Sequence, residues 1–181
     1  MIYLKKYRKP LVRFIFKLKA KKTIARLKKE SGHNQKMLGI TLEEALENNI
    51  SHEEKIWIDK IELRRKKLES STDKILLTDF GASKIPDPKV YDKEIEEGRI
   101  VTTTVGEKCR NSSELYFWVL ILFKLIRKFK LTSRLELGTS MGISAAFQVS
   151  ALNLNGNGKI VTLEGAAPWH QSLKRIFNYS I

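Results

Sequence analysis

The spacing of apolar positions changes along the chain, and each spacing predicts a different element. Leu11, Phe14, Ile15 and Leu18 recur at i, i+3, i+4, i+7, the stripe of an amphipathic helix, with Pro10 near its start. Thr41 through Glu44 and Ser51 through Glu54 each place a hydroxyl three residues before a glutamate, the capping-box sign of a helix start. The second opens a helix to about Glu69, with Trp57, Ile61 and Leu68 on one stripe and a solvated face that includes Arg64–Lys67. Ile75–Thr78 reads as a short strand ending in a glycine turn. Residues 83–111 read as an irregular polar connection punctuated by Pro86, Pro88, Gly98 and Gly106, with Arg99–Val105 as a short strand inside it. Leu115 to Phe123 is an unbroken apolar run, too short to span a bilayer and apolar all round, as in a helix buried in a core. Ser112 or Ser113 is positioned to cap it, and Arg127, Lys128 and Lys130 suit its C-terminal end.

The last third has a different rhythm. Leu135–Leu137 is a short buried-strand signal, and Gly138 to Gly142 is a glycine-punctuated turn. Ile143–Leu154 is a helix with Phe147, Ala151 and Leu154 on one side, Asn155 to Gly158 is a turn, and Lys159–Glu164 is a strand ending in an acid. Strand, helix and strand within about 30 residues predict parallel strands joined by a right-handed crossover. A further helix is expected over Trp169–Phe177.

Charge divides the chain again. The net charge of +14 is concentrated at one end: residues 1–30 hold twelve Lys/Arg and one acid, Glu30, a net +11, whereas residues 31–181 hold 22 basic and 19 acidic residues, a net +3. The body is therefore read as an ordinary globular unit and the arm separately. Arg13 and Lys17 interrupt the arm's apolar run, which excludes a secretory signal and a transmembrane span. Three roles remain open for the arm: a solvated helix docked on the body, a helix lying on an anionic membrane surface, or contact with nucleic-acid phosphates, the less favoured of the two binding roles because no RNA-binding motif accompanies it. One cysteine, Cys109, excludes an intramolecular disulfide framework and any multi-cysteine metal site; it lacks a catalytic partner and is read as a structural or free thiol. With neither signal nor disulfides, a cytoplasmic location is expected, at the inner membrane face if the arm meets lipid.

Two stretches resemble known chemistry. Asp79-Phe80-Gly81 resembles a protein-kinase metal-binding loop, but the likeness covers about ten residues. A His-Arg-Asp loop upstream and an Ala-Pro-Glu downstream are both missing, which argues against a kinase. The second stretch carries more. Glycines at the turn after a strand let a ligand approach the backbone, and the following helix offers unpaired N–H groups to an anion. An acid closing the next strand stands beside that turn and is suited to accept both ribose hydroxyls. Gly138 and Glu164 therefore predict a nucleoside ligand at the C-terminal strand ends. The dinucleotide pattern Gly-x-Gly-x-x-Gly is not met, because position 140 is Ser, which argues against NAD or FAD.

Glu136-Leu-Gly-Thr-Ser-Met-Gly-Ile-Ser144, with Glu164 closing the next strand, resembles the class I S-adenosylmethionine-dependent methyltransferases, and most closely their catechol O-methyltransferase-like branch. The resemblance covers roughly residues 112–181. It implies an α/β, Rossmann-like methyltransferase fold, S-adenosyl-L-methionine as cofactor and an unidentified methyl acceptor. By position, Gly138 would pass under the methionine part. The backbone near Thr139–Ser140, ahead of Gly142, and the Ser144 hydroxyl would hold its carboxylate. Glu136 would orient the ammonium end, and Glu164 would grip the ribose 2′ and 3′ hydroxyls. The family's sheet has seven strands, whereas 17 residues follow Glu164 here. The expected fold is thus incomplete, the first βαβ unit only, and expected to be inactive by itself. It carries an N-terminal helical extension, with divisions at 1–30, 31–111 and 112–181. The resemblance leaves the catalytic base unassigned; His33 and His52 are expected in solvent, as is His170, while Trp169 is open to either adenine stacking or core packing. The rival reading is a non-enzymatic membrane- or nucleic-acid-associated module built on a degenerate Rossmann-like unit.

Overall fold

The computed structural model describes residue 16, residues 18–79 and residues 98–165. The expected elements in 1–15, the turn after Thr78, the Asp79-Phe80-Gly81 loop beyond its first residue, and the helix with Trp169 and His170 lie outside them.

Three helices open the described chain: α1 (18–29), α2 (His33–Leu46) and α3 (His52–Glu69). α2 corrects the first capping-box reading. Thr41 is not a cap but a buried residue inside the helix, and its hydroxyl donates to the Met37 carbonyl at 2.8 Å, the back-bond open to a mid-helix threonine. α2 already starts at His33, and α1 lies against its Gly39. A Cβ at Gly39 would stand 3.1 Å from the Lys28 backbone nitrogen and closer still to the Lys28 side chain. The second box is real. The Ser51 hydroxyl accepts from Glu54 N at 3.2 Å, and the Glu54 carboxylate accepts from Ser51 N at 2.9 Å.

The buried stripe of α3 is Glu54, Ile58, Ile61 and Arg65, with Trp57 and Leu68 only half-buried at its margins. Arg65 thus departs from the solvated face expected for 64–67. It donates to the Glu114 carbonyl at 2.7 Å and to Glu62 at 3.0 Å, while its three neighbours stay exposed.

β1 (Lys74–Asp79) and β2 (Arg99–Thr104) pair antiparallel, from Lys74 opposite Thr104 to Asp79 opposite Arg99. β2 leads directly into α4 (Val105–Ser112), where a continuing irregular connection was expected. Thr104 caps it, accepting from Glu107 N at 3.1 Å. Gly106 N donates to the Ser71 carbonyl at 3.1 Å, and a Cβ there would meet the Glu69 and Ser71 carbonyl oxygens at 2.6 Å, so only glycine fits.

α5 (Tyr116–Phe129) starts from Leu115 with no side-chain cap. Ser112 belongs to α4 and Ser113 ends it, so neither caps α5 as expected. Nor is α5 buried all round. Val119, Leu120, Phe123, Lys124 and Ile126 face inward, while Leu115 and Trp118 are exposed. β3 (Ser133–Leu137), α6 (Ile143–Leu154) and β4 (Lys159–Leu163) follow, with β3 and β4 parallel and Leu137 opposite Leu163. The α6 bounds match the sequence expectation.

The molecule is thus an α/β chain, with two separate two-stranded sheets among the described residues. α6 packs on α5, α3 and β4, and α2 packs on α5. Phe147 of α6 meets Phe123 and Tyr116 of α5 edge-on. One apolar core takes in Ala45, Ile58, Ile61, Leu77 and Cys109 together with the α5 and α6 residues, so the N-terminal helices and the β3–α6–β4 unit share it. Cys109 is a free, buried thiol 3.5 Å from the Ser113 hydroxyl. Charge enters the core at Lys124, which lies 2.6 Å from Glu54 and 3.4 Å from Glu44; Arg127 stands 3.6 Å from Glu54, and Lys128 pairs with Glu44 at 2.6 Å. Burial raises the Glu54 pKa, but the hydrogen bonds from Lys124 and Ser51 and the charges of Lys124 and Arg127 outweigh it and hold the carboxyl below its ordinary value. Among the described residues no helix is long and apolar enough to cross a membrane.

Candidate functional site

The site begins where β3 stops. Gly138 takes a positive φ of 82° and donates its N–H to the Leu163 carbonyl at 2.8 Å, tying the ends of the two parallel strands. A Cβ on Gly138 would meet nothing within 4 Å, so the backbone here faces open space. The turn closes with Gly142 N donating to the Thr139 carbonyl at 2.8 Å. Gly142, with φ 71°, is the N-cap of α6 and supplies no side chain. With no side-chain cap and no acid in the first turn, no side chain among the described residues claims the N-terminal amides of α6. Such a helix end is suited to an anion.

Ser140 also has a positive φ, 47°, uncommon for a residue with a Cβ. That conformation points its N–H at Glu164, whose carboxylate accepts at 2.6 Å. The Ser140 hydroxyl is buried and has no hydrogen-bond partner among the described residues.

Beneath the turn runs a polar network. Thr162 donates to Glu136 at 3.2 Å, and Gln148 Nε2 donates to Glu136 at 2.9 Å and to the Ser144 hydroxyl at 3.3 Å. With the Thr162 proton directed at Glu136, the Thr139 hydroxyl is the donor in its short contact with Thr162. Arg134 Nε donates to Gln148 Oε1 at 3.4 Å. The Glu136 carboxylate is therefore oriented by two donors from two elements before any ligand arrives.

A cavity of about 550 Å³ opens beside this network, within the size range of small-molecule sites. Its apolar wall is Trp118, Ile121 and Leu122 of α5, and its polar side is formed by the turn and the network. Of the residues singled out from sequence, Glu136, Gly138, Thr139, Ser140 and Ser144 line it. Gly142 and Glu164 do not: Gly142 shapes the turn, and Glu164 stands behind it on the Ser140 amide. Sequence reasoning missed Gln148, Thr162, Arg134 and the α5 wall. Gln148 lies four residues after Ser144, and Thr162 and Arg134 lie two before Glu164 and Glu136, so helix and strand periodicity put each on the face of a residue already singled out. Among the described residues no three His, Cys, Asp or Glu side chains gather to hold a metal.

The fold and the site define an α/β protein with a polar, glycine-turned cavity at the C-terminal ends of a parallel strand pair. Comparison of the chain with protein-family models, with curated proteins and with solved structures finds no significant match.

Proposed function

We propose that this cavity binds S-adenosyl-L-methionine and that the β3–α6–β4 unit is the cofactor-binding part of a Rossmann-like, class I methyltransferase. The observation that carries the reading is the register of one turn: Gly138 and Ser140 with positive φ, the uncapped α6 N-terminus and the Glu164 carboxylate meet within a few residues. The buried, unpartnered Ser140 hydroxyl and the open space above Gly138 fit a ligand that brings its own polar atoms.

In this reading Gly138 floors the site, and the α6 amides with Ser144 hold the ligand carboxylate. Glu136, preset by Gln148 and Thr162, faces the ammonium group. Glu164 is the residue that exchanges partners, because the Ser140 N–H it now occupies is also a donor suited to the carboxylate. Taking the ribose hydroxyls would release that amide. The α5 wall keeps water from one side of the cavity. When bound, the cofactor supplies an electrophilic methyl carbon on a sulfonium, which passes to a nucleophile while the C–S electron pair returns to sulfur.

The test is isothermal titration of the chain with S-adenosylhomocysteine. Saturable one-site binding is expected, weakened at least tenfold in Glu164→Ala and in Ser144→Ala by less, with circular dichroism showing both variants folded. A folded wild-type chain that takes up no S-adenosylhomocysteine would overturn the reading.

A further inference from the structure

The cofactor reading leaves unexplained the strongest charge asymmetry in the chain, and half of its cations lie on α1. Residues 18–29 carry Lys19, Lys21, Lys22, Arg26, Lys28 and Lys29 and no acid. One side of the helix is fixed to the body. Ile24 is buried, Lys28 pairs with Glu43 of α2 at 2.6 Å, and Lys21 reaches Glu47 at 3.7 Å. These contacts turn the opposite side outward. It carries Lys19, Lys22, Arg26 and Lys29, at spacings of three, four and three residues, which is a single stripe along a helix. All four are exposed, and among the described residues none has an acidic partner. From Lys19 to Lys29, ten residue steps, the stripe runs about 15 Å along the axis.

At the N-terminal end of the stripe the surface is apolar. Leu18 is 53% exposed and lies next to Lys29 and Lys22 in the helical projection. Phe16, 48% exposed, meets Phe117 edge-on, and Phe117 meets the half-exposed Trp118. Cations flanked by exposed leucine and by aromatic rings suit the boundary between anionic headgroups and acyl chains.

We propose that the outer face of α1 is a membrane-docking surface that lies flat on an anionic lipid bilayer. Lys19, Lys22, Arg26 and Lys29 face the headgroups, and Leu18 with the Phe16 end enters the interface. This inference is independent of the cofactor reading, because none of the stripe residues lines the cavity.

The test is flotation of the full chain with vesicles of pure phosphatidylcholine and with vesicles containing about 30 mol% phosphatidylglycerol. Binding is expected only to the anionic vesicles and to fall as NaCl is raised. Each cation near the surface is worth roughly fivefold in affinity. The variant K19Q/K22Q/R26Q/K29Q should therefore bind at least about 100-fold more weakly, and Leu18→Ser about tenfold more weakly. Because all four cations are exposed and unpartnered, the quadruple variant should keep the circular dichroism and melting temperature of the parent. A control that removes exposed cations from α3, R64Q/K66Q/K67Q, should leave binding unchanged. Three results would overturn the proposal: a quadruple variant within threefold of the parent, equal weakening by the α3 control, or tighter binding to a DNA duplex than to the anionic vesicles.

Discussion

Replacing Lys124 with methionine tests how the helices are joined to the rest of the fold. Methionine keeps most of the apolar stem, ends one atom short of the lysine, and removes the ammonium with its charge and its donors. In the parent, Lys124 Nζ lies 2.6 Å from Glu54 and 3.4 Å from Glu44, with side chains 4%, 8% and 19% exposed. At an effective dielectric of about 20, these separations correspond to gross attractions of about 6 and about 5 kcal/mol. Desolvation of the three charges offsets most of this, so the intact cluster is worth little net stability. Removing one partner is different, because it leaves Glu54 buried with its charge. Breaking a buried pair in this way costs about 3–5 kcal/mol. Arg127 at 3.6 Å and the Ser51 N–H at 2.9 Å still support Glu54, which places Lys124→Met near the low end, about 3 kcal/mol. With a urea m-value of about 2 kcal/mol/M, the midpoint should fall by about 1.5 M at unchanged m. The double variant Glu54→Gln/Lys124→Met, in which glutamine still closes the capping box, should recover at least half of that loss. Urea unfolding followed by circular dichroism and tryptophan fluorescence reads both. A single variant within about 0.5 kcal/mol of the parent, or a double variant less stable than the single, would refute the reasoning.

Other perturbations probe the same physics elsewhere. The folded-state pKa of Glu54 is depressed, so its stabilisation is complete above the ordinary carboxyl pKa of about 4.3 and is lost as pH falls through the lower folded value; urea midpoints measured from pH 6 to pH 3 should fall less steeply in Glu54→Gln/Lys124→Met than in the parent. Gly106→Ala should cost about 1–3 kcal/mol in thermal unfolding, because its Cβ would press on two carbonyl oxygens at 2.6 Å with no flexible side chain to give way. Gln148→Ala should cost about 1–3 kcal/mol by removing a donor from both Glu136 and Ser144 and the acceptor of Arg134; in the cofactor reading it should also weaken S-adenosylhomocysteine binding more than Gly156→Ala, a turn position away from the cavity.

Much of the site's skeleton was legible because its causes are local. A strand, two glycines and a helix start lie within Leu135–Ile143, and the Ser51 box is closed by a residue three positions away. Signals of this kind act over a few residues, and at Ser51 and at the Gly138–Gly142 turn the tertiary structure keeps them. α4 was not read from the sequence: Thr104 and Glu107 carry the same three-residue spacing, but its few buried positions gave no apolar stripe to mark a helix.

What remained hidden depends on partners distant in the chain. Lys124 reads as the residue that ends an apolar run, yet it is buried because Glu54, 70 positions earlier, sits opposite it. Arg65 reads as one charge in a solvated run, yet the Glu114 carbonyl, 49 positions on, draws it inward. Thr41 carries a cap signal that is overridden: α2 starts at His33, and the Thr41 hydroxyl bonds back to the Met37 carbonyl inside the helix. The glutamates of the site were visible as residue types, but which donors orient them was decided by α6 packing across β3 and β4. Local sequence thus set the turns, caps and strand–helix boundaries, whose energies come from neighbouring backbone groups. Tertiary structure alone decided which charges are buried and which cavity the turn faces, because a charge enters a core only where a distant partner offsets its lost hydration.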